Sequence, residues 1–263
     1  MALQKCACLD MLYTELPWKE RFQAAKDDGF DAVEFWDWRG KDFEETRQAA
    51  EAAGVVISGF NGDAEEFSLV DPTHKKGYLE YLSKSLDAAE KLNSNSVTIH
   101  SNALGDGGVV VNHYDELSHT VKLCAMYGTL LECAKMAEER GVNLNLEGLN
   151  LATDHAGNFL ATTQMAAEVC RLINSPRLKI LYDVYHMQIN EGNLCDNISQ
   201  YCDQIGHVHV ADNPGRHEPG TGEINYKKII RHLEECGYKG LIGYELFPVK
   251  DTKTAVEAIM KEC

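Results

Sequence analysis

Basic residues are in short supply: 25 Lys and Arg stand against 41 Asp and Glu, a formal net charge of -16 over 263 residues. A protein that grips a nucleic acid backbone needs a clustered cationic footprint, so this deficit argues against DNA or RNA as a partner. Long apolar runs are missing too. No stretch approaches the ~20 residues that a membrane span requires, and no basic segment followed by an apolar run opens the chain. The nine cysteines contain no C-x-x-C pair and no zinc-ribbon spacing, and their number is odd. They read as reduced, mostly buried thiols, not as a disulfide framework. The expectation is a soluble cytoplasmic protein acting on a small molecule, with no nucleic acid or membrane partner and with homo-oligomer formation left open.

Two further absences bear on the fold. There is no Pro/Gly/Ser-rich linker, low-complexity tract or exact repeat, so residues 1–263 are expected to form one domain. The segment after the first strand-like run, residues 10–15, holds no glycine. It therefore lacks the phosphate turn of a doubly wound sheet, the main rival architecture. What is present is an alternation of short β-like runs with longer helix-periodic ones. The strands are predicted at 5–9, 32–36, 55–60, 96–100, 143–147, 179–183, 207–211 and 241–245. Helical stretches are predicted at 18–28, 43–53, 74–92, 114–140, 159–173, 197–203, 226–236 and 252–261. Stop signals stand before most strands: Gly29, Gly54, Asn93, Gly141, Ser175-Pro176, Gly206 and Gly237. Eight such units over this length predict a single (β/α)8 TIM barrel of the α/β class.

In that fold the C-terminal strand ends share one mouth. Strands five to eight end on Glu147, Asp183, His209 and Glu245. Three carboxylates and an imidazole in one mouth would be costly without a cation among them. This points to one divalent metal ion, and the oxygen-rich set suits Mn2+, Mg2+ or Co2+. His207 shares a strand face with His209. His209, nearer the loop, is the expected ligand, with His207 deeper in the barrel and Asp212 a candidate acceptor for the ligand's other N–H. His186, in the predicted loop after strand six, and Arg216, in the long loop after strand seven, are expected to bind substrate oxygens. An ion pair from Arg216 to Glu218 or Glu223 is the competing expectation. Pro219-Gly220-Thr221-Gly222 lacks the G-K-[ST] ending of a phosphate loop and reads as turn chemistry. His100, Asn61 and Glu34 are expected to line the pocket, and Trp36, Trp38 and Phe60 to wall it or pack on its rim.

Three segments carry a family resemblance: Y-D-V-Y-H-M-Q at 182–188, G-H-V-H-V-A-D-N-P-G-R-H-E-P-G-T-G-E-I-N-Y at 206–226, and G-Y-E at 243–245. They resemble the hydroxypyruvate isomerase family of the xylose-isomerase-like barrels, most fully over strands five to eight. The resemblance implies a metal held by Glu147, Asp183, His209 and Glu245, with Glu147 and Glu245 also moving protons. The ligand intervals of 36, 26 and 36 residues are similar to those of the related ketose 3-epimerases. Hydroxypyruvate isomerases tend to carry Gln at the position of His209, where the epimerases carry His, and E-P-x-N where this chain has Glu147-Gly148-Leu149-Asn150.

The expected activity is a metal-dependent isomerisation of a small hydroxy-carbonyl compound, of the hydroxypyruvate/tartronate semialdehyde kind or a related sugar acid, through an enediolate. The alternative is ketose 3-epimerisation. Remoter alternatives are a hydrolase like the abasic-site endonucleases of the same superfamily, or a non-catalytic binding subunit.

Overall fold

Eight short parallel strands close on themselves in sequence order. The computed structural model describes residues 3–263. The strands are β1 (Gln4–Cys8), β2 (Ala32–Phe35), β3 (Val56–Asn61), β4 (Ser96–His100), β5 (Asn143–Glu147), β6 (Leu178–Asp183), β7 (Ile205–His209) and β8 (Leu241–Tyr244). Around them run α1 (Trp18–Asp27), α2 (Phe43–Ala53), α3 (Lys75–Leu92), α4 (His119–Arg140), α5 (Thr163–Ile173), α6 (Val184–Asn190), α7 (Leu194–Tyr201), α8 (Tyr226–Glu235) and α9 (Thr252–Glu262). The fold is the (β/α)8 barrel that the alternation predicted. No helix among the described residues is long and apolar enough to cross a membrane.

The strand sequences have period two, and the barrel uses both faces. Val33, Val97, Ile99, Leu144, Leu146, Ile180, Tyr182, Val208 and Ile242 join the apolar faces of the helices in one core. The alternate positions hold Glu34, His100, Asn145, Glu147, Asp183, His207 and His209, all buried. An interior of this kind departs from the layers of branched apolar side chains usual in such barrels, and buried polar groups need partners. The register supplies neighbours: His100 lies opposite Glu147, Asp183 opposite His209, and His209 opposite Gly243.

Gly243 is where this polar interior requires the absence of a side chain. A Cβ there would lie 2.4 Å from Glu34 Oε1, 2.7 Å from His209 Cδ2 and 2.9 Å from His207 Nε2. Gly243→Ala is therefore expected to destabilise the fold by roughly 1–3 kcal/mol through overpacking. Chemical denaturation checks this, and an unchanged midpoint would contradict it.

Several boundaries differ from the sequence-based expectation, each for a local reason. Helices α4 and α5 start later than 114 and 159, because the Ser118 and Thr162 hydroxyls accept from Val121 N and Met165 N and set the first turn there. Asn174, in the left-handed region at φ 55°, ends α5 in place of Ser175-Pro176. Gly206 is no stop at all. It lies inside β7, where a Cβ would come within 2.6 Å of Lys179 Cβ on β6. The largest difference is α6, which begins immediately after Asp183, so that His186 sits in a helical first turn and not in a loop. Of the cysteines, which are all free thiols, four are buried, four half-buried and Cys124 exposed.

Candidate metal and proton-transfer centre

The ends of β5, β6 and β7 and the residue after β8 bring Glu147, Asp183, His209 and Glu245 together. One ligand atom from each lies within 4.8 Å of the others, and all four residues are buried. Two atoms opposite each other across an ion with bonds of about 2.4 Å would be about that far apart. Two of the atoms facing this space, Glu147 Oε1 and His209 Nδ1, are buried without a hydrogen-bond partner. Such atoms are expensive unless something absent from the protein itself engages them. The donor set therefore fits a hard divalent cation.

Each of the four side chains is held from behind. Asp183 Oδ1 accepts from His186 N at 3.0 Å and so caps α6, which leaves Oδ2 to face the cluster at 4.0 Å from His209 Nδ1. His209 turns Nδ1 toward the carboxylates, 3.4 Å from Glu245 Oε2, and Nε2 toward Glu34 Oε1 at 3.2 Å. The expected partner Asp212 does something else. Its carboxylate accepts from the backbone N of Gly220, Gly222 and Ile224, at 2.8 to 3.0 Å, and shapes the loop after β7. Those loop residues are the turn chemistry read from Pro219-Gly220-Thr221-Gly222. Glu34 stands there instead: its Oε1 is within ion-pair distance of His209 Nε2 without a formed hydrogen bond, and its Oε2 meets His207 Nε2 at 2.9 Å. Burial alone would raise the Glu34 carboxyl, but the facing His209 and His207 rings override it and bring it down to about 2. Desolvation likewise opposes a charged His209, yet Glu34 and Glu245 hold it well above the ordinary imidazole value.

Glu147 is positioned by a chain that runs outward. His100 Nε2 meets Glu147 Oε2 at 2.9 Å, and His100 Nδ1 meets Asp63 Oδ2 at 2.7 Å. Tyr78 donates to the other oxygen of Asp63. Desolvation disfavours a charged His100, but its hydrogen bonds to Asp63 and Glu147 outweigh that and take it up to about 10. Glu245 accepts from the Trp36 indole and from Arg216 Nη2. Burial raises its carboxyl, and Arg216 and then His209 pull it well below the usual range. Asp183 is shifted up by burial, with Arg216 and His209 acting against it.

Arg216 reaches the site, not Glu218 or Glu223. Its Nη2 pairs with Glu245 and lies 3.8 Å from Asp183 Oδ2, and its backbone has φ 57°. A non-glycine residue in that region is uncommon, and its placement here aims a guanidinium into a mouth of carboxylates. His186 stands at the same mouth, with Nε2 3.6 Å from Asp183 Oδ2 and 3.9 Å from Glu147 Oε1. Burial, reinforced by Arg216, depresses its pKa well below the usual value, so it is neutral. Of the expected wall, Trp36 donates to Glu245, whereas Phe60 stacks on Phe35 and Trp38 packs against Phe43 and Tyr81.

Asp63, Asn150, Asp154 and His155 belong to the site's surroundings and were missed from sequence. All four lie in loops after strands, where polar residues are common and spacing carries no signal.

The chain matches the family described as xylose isomerase-like TIM barrel over residues 22–263. A putative hydroxypyruvate isomerase from Danio rerio is 30% identical, over 98% of this chain and 95% of its own length. A 2-oxo-tetronate isomerase from Cupriavidus necator is 28% identical, over 95% of each. Among solved structures, an AP endonuclease, family 2, from Brucella melitensis superposes with a TM-score of 0.88 at 23% identity, covering 97% of this chain and 96% of that one. At that identity the likeness speaks for the fold alone. The strand-end residues, the loop after β7 and these matches together place the chain: it belongs to the xylose isomerase-like TIM barrel family and, within it, to the hydroxypyruvate isomerase family.

Proposed function

We propose that this chain is a divalent-metal-dependent isomerase of a small hydroxy-carbonyl compound, of the hydroxypyruvate or sugar-acid kind. The observation that carries the reading is the convergence of Glu147, Asp183, His209 and Glu245, with Glu147 Oε1 and His209 Nδ1 buried and unpartnered. These four residues would hold Mn2+, Mg2+ or Co2+. A cation held there would supply Lewis-acid stabilisation of the charge that develops on oxygen as a proton leaves carbon. The protein's own groups do the rest. His100 fixes Glu147 through Oε2 and leaves Oε1 free toward the cluster, while Trp36 and Arg216 fix Glu245 on the other side. One glutamate, ionised, takes the carbon-bound proton and the other, entering with a proton, gives one to the neighbouring carbon, while the hydroxyl hydrogen passes to the former carbonyl oxygen and exchange with solvent resets the pair. Arg216 and the neutral His186 hold substrate oxygens and orient that carbon between the two glutamates.

A second reading, ketose 3-epimerisation, is favoured by His209, which the 3-epimerases carry where hydroxypyruvate isomerases tend to carry Gln; return of the proton to the opposite face of the same carbon would use the same two carboxylates. Incubation with Mn2+ in D2O, with hydroxypyruvate and then a panel of ketoses, separates the two by the position of deuterium. An isomerase places deuterium on the neighbouring carbon, and an epimerase on the carbon it inverts. No exchange of any carbon-bound proton across the panel would overturn both.

A further inference from the structure

The loop after β5 carries a histidine that proton transfer does not use. His155 is 6% exposed, and its Nδ1 lies 2.7 Å from the carbonyl oxygen of Gly108. A carbonyl can only accept, so Nδ1 carries the hydrogen. Burial holds this ring below the ordinary imidazole pKa, which keeps it neutral. Its Nε2 is then a bare lone pair, buried and without a partner. The ring's seat is built for it. Gly108 has φ 78°, and a Cβ there would come within 2.7 Å of His155 Cε1.

His186 has the reverse polarity. Asn150 Oδ1 accepts from the backbone N of Thr153 at 3.1 Å and of Asp154 at 2.9 Å, which fixes the orientation of the amide. Its Nδ2 then faces Asp154 Oδ2 and His186 Nδ1, each at 2.7 Å. An amide nitrogen only donates, so His186 Nδ1 accepts and the ring hydrogen is on Nε2, again buried and unpartnered. The two rings are 5.1 Å apart between centroids, with planes at 74°. Asp154, His155 and His186 also offer atoms within 4.8 Å of one another. A cation is a poor occupant there, because a metal on His186 Nε2 would force the hydrogen onto Nδ1, against the Asn150 amide donor.

We infer that His155 and His186 form an opposed pair that recognises one substrate hydroxyl, His186 Nε2–H donating to its oxygen and His155 Nε2 accepting its hydrogen. A hydroxyl satisfies both groups. A carboxylate or ketone oxygen satisfies only His186, and a methyl satisfies neither, so each leaves a buried polar atom unpaired. His155 is thus a specificity residue, and the inference rests on the isomerase reading for where that hydroxyl lies. With His186 Nε2 3.9 Å from Glu147 Oε1, the hydroxyl sits beside the reacting carbons.

The test uses the full chain loaded with Mg2+. Long-range 15N–1H correlation at neutral pH should show His155 as the Nδ1–H tautomer and His186 as the Nε2–H tautomer. Calorimetry then compares hydroxypyruvate with pyruvate, and erythrulose with 1-hydroxybutan-2-one. The hydroxylated member of at least one pair should bind at least about tenfold more tightly. His155→Leu should abolish that gap by weakening only the hydroxylated ligand, whereas His155→Gln, which keeps an acceptor, should preserve much of it. An Nε2–H tautomer at His155, no discrimination within either pair, or a gap unchanged in His155→Leu would each overturn the inference. Should His155→Leu fail to fold, the tautomers and the Gln variant decide. Intact discrimination without carbon-bound proton exchange would sink the isomerase reading and leave the hydroxyl pair standing.

Discussion

Glu147→Gln is expected to lower kcat by about 10²–10⁴-fold, the usual contribution of a positioned proton-transfer group, with a much smaller change in KM. The substitution keeps the shape and an oxygen that can still accept from His100, which lies 2.9 Å from Oε2. It removes the basicity and the charge. Glu245→Gln should behave alike, since that carboxylate is held by Trp36 and Arg216 and not by His100. If each glutamate handles one of two proton transfers, either change blocks the same reaction, so the double variant should be little worse than the slower single one. Steady-state kinetics on the metal-loaded variants check this. Losses that multiply fully in the double variant, or a fall confined to KM, would contradict the paired roles.

Asp183→Asn is expected to weaken divalent-metal binding by at least about 100-fold, above the 10–100-fold typical of changes to groups that merely orient a ligand. Activity should fall with it. Asp183 is expected to do two jobs, and Asn can do only one of them. Oδ1 caps α6 through His186 N at 3.0 Å, and an amide oxygen caps as well as a carboxylate. The charge on Oδ2, facing His209 and Arg216, has no substitute. The variant should therefore fold normally and lose metal, a split that titration of the purified protein with Mn2+ reads directly. Undiminished metal affinity would show that Asp183 serves the helix alone.

The strand ends were legible because a barrel converts sequence position into spatial position. Glu147 and Asp183 close their strands as expected, and His209 ends β7 two residues before the predicted boundary. Glu245, one residue past β8, still reaches the cluster. Period two also showed that His207 and His209 share a face. It could not show which strand that face meets across the barrel. Glu34 lies 173 residues before His207, and only closure of the sheet brings β2 to both histidines. Asp212 looked like the partner of His209 because it is near in sequence, but its carboxylate is taken by the backbone N–H groups of its own loop. Helix α6 was hidden for a related reason. Its cap is the strand's last residue, so no loop residue announces a start. The polarity of His155 and His186 lies beyond any spacing rule, since it depends on a carbonyl from the loop after β4 and on an amide fixed by two backbone donors.

A crystal structure of the Mn2+-loaded protein, with the ion identified by its anomalous signal, should place one ion among Glu147, Asp183, His209 and Glu245. Each should bind at about 2.0–2.4 Å, with His209 ligating through Nδ1. An ion bound elsewhere, or one leaving any of these four side chains several ångströms away, would contradict the site and the proton-transfer chemistry built on it.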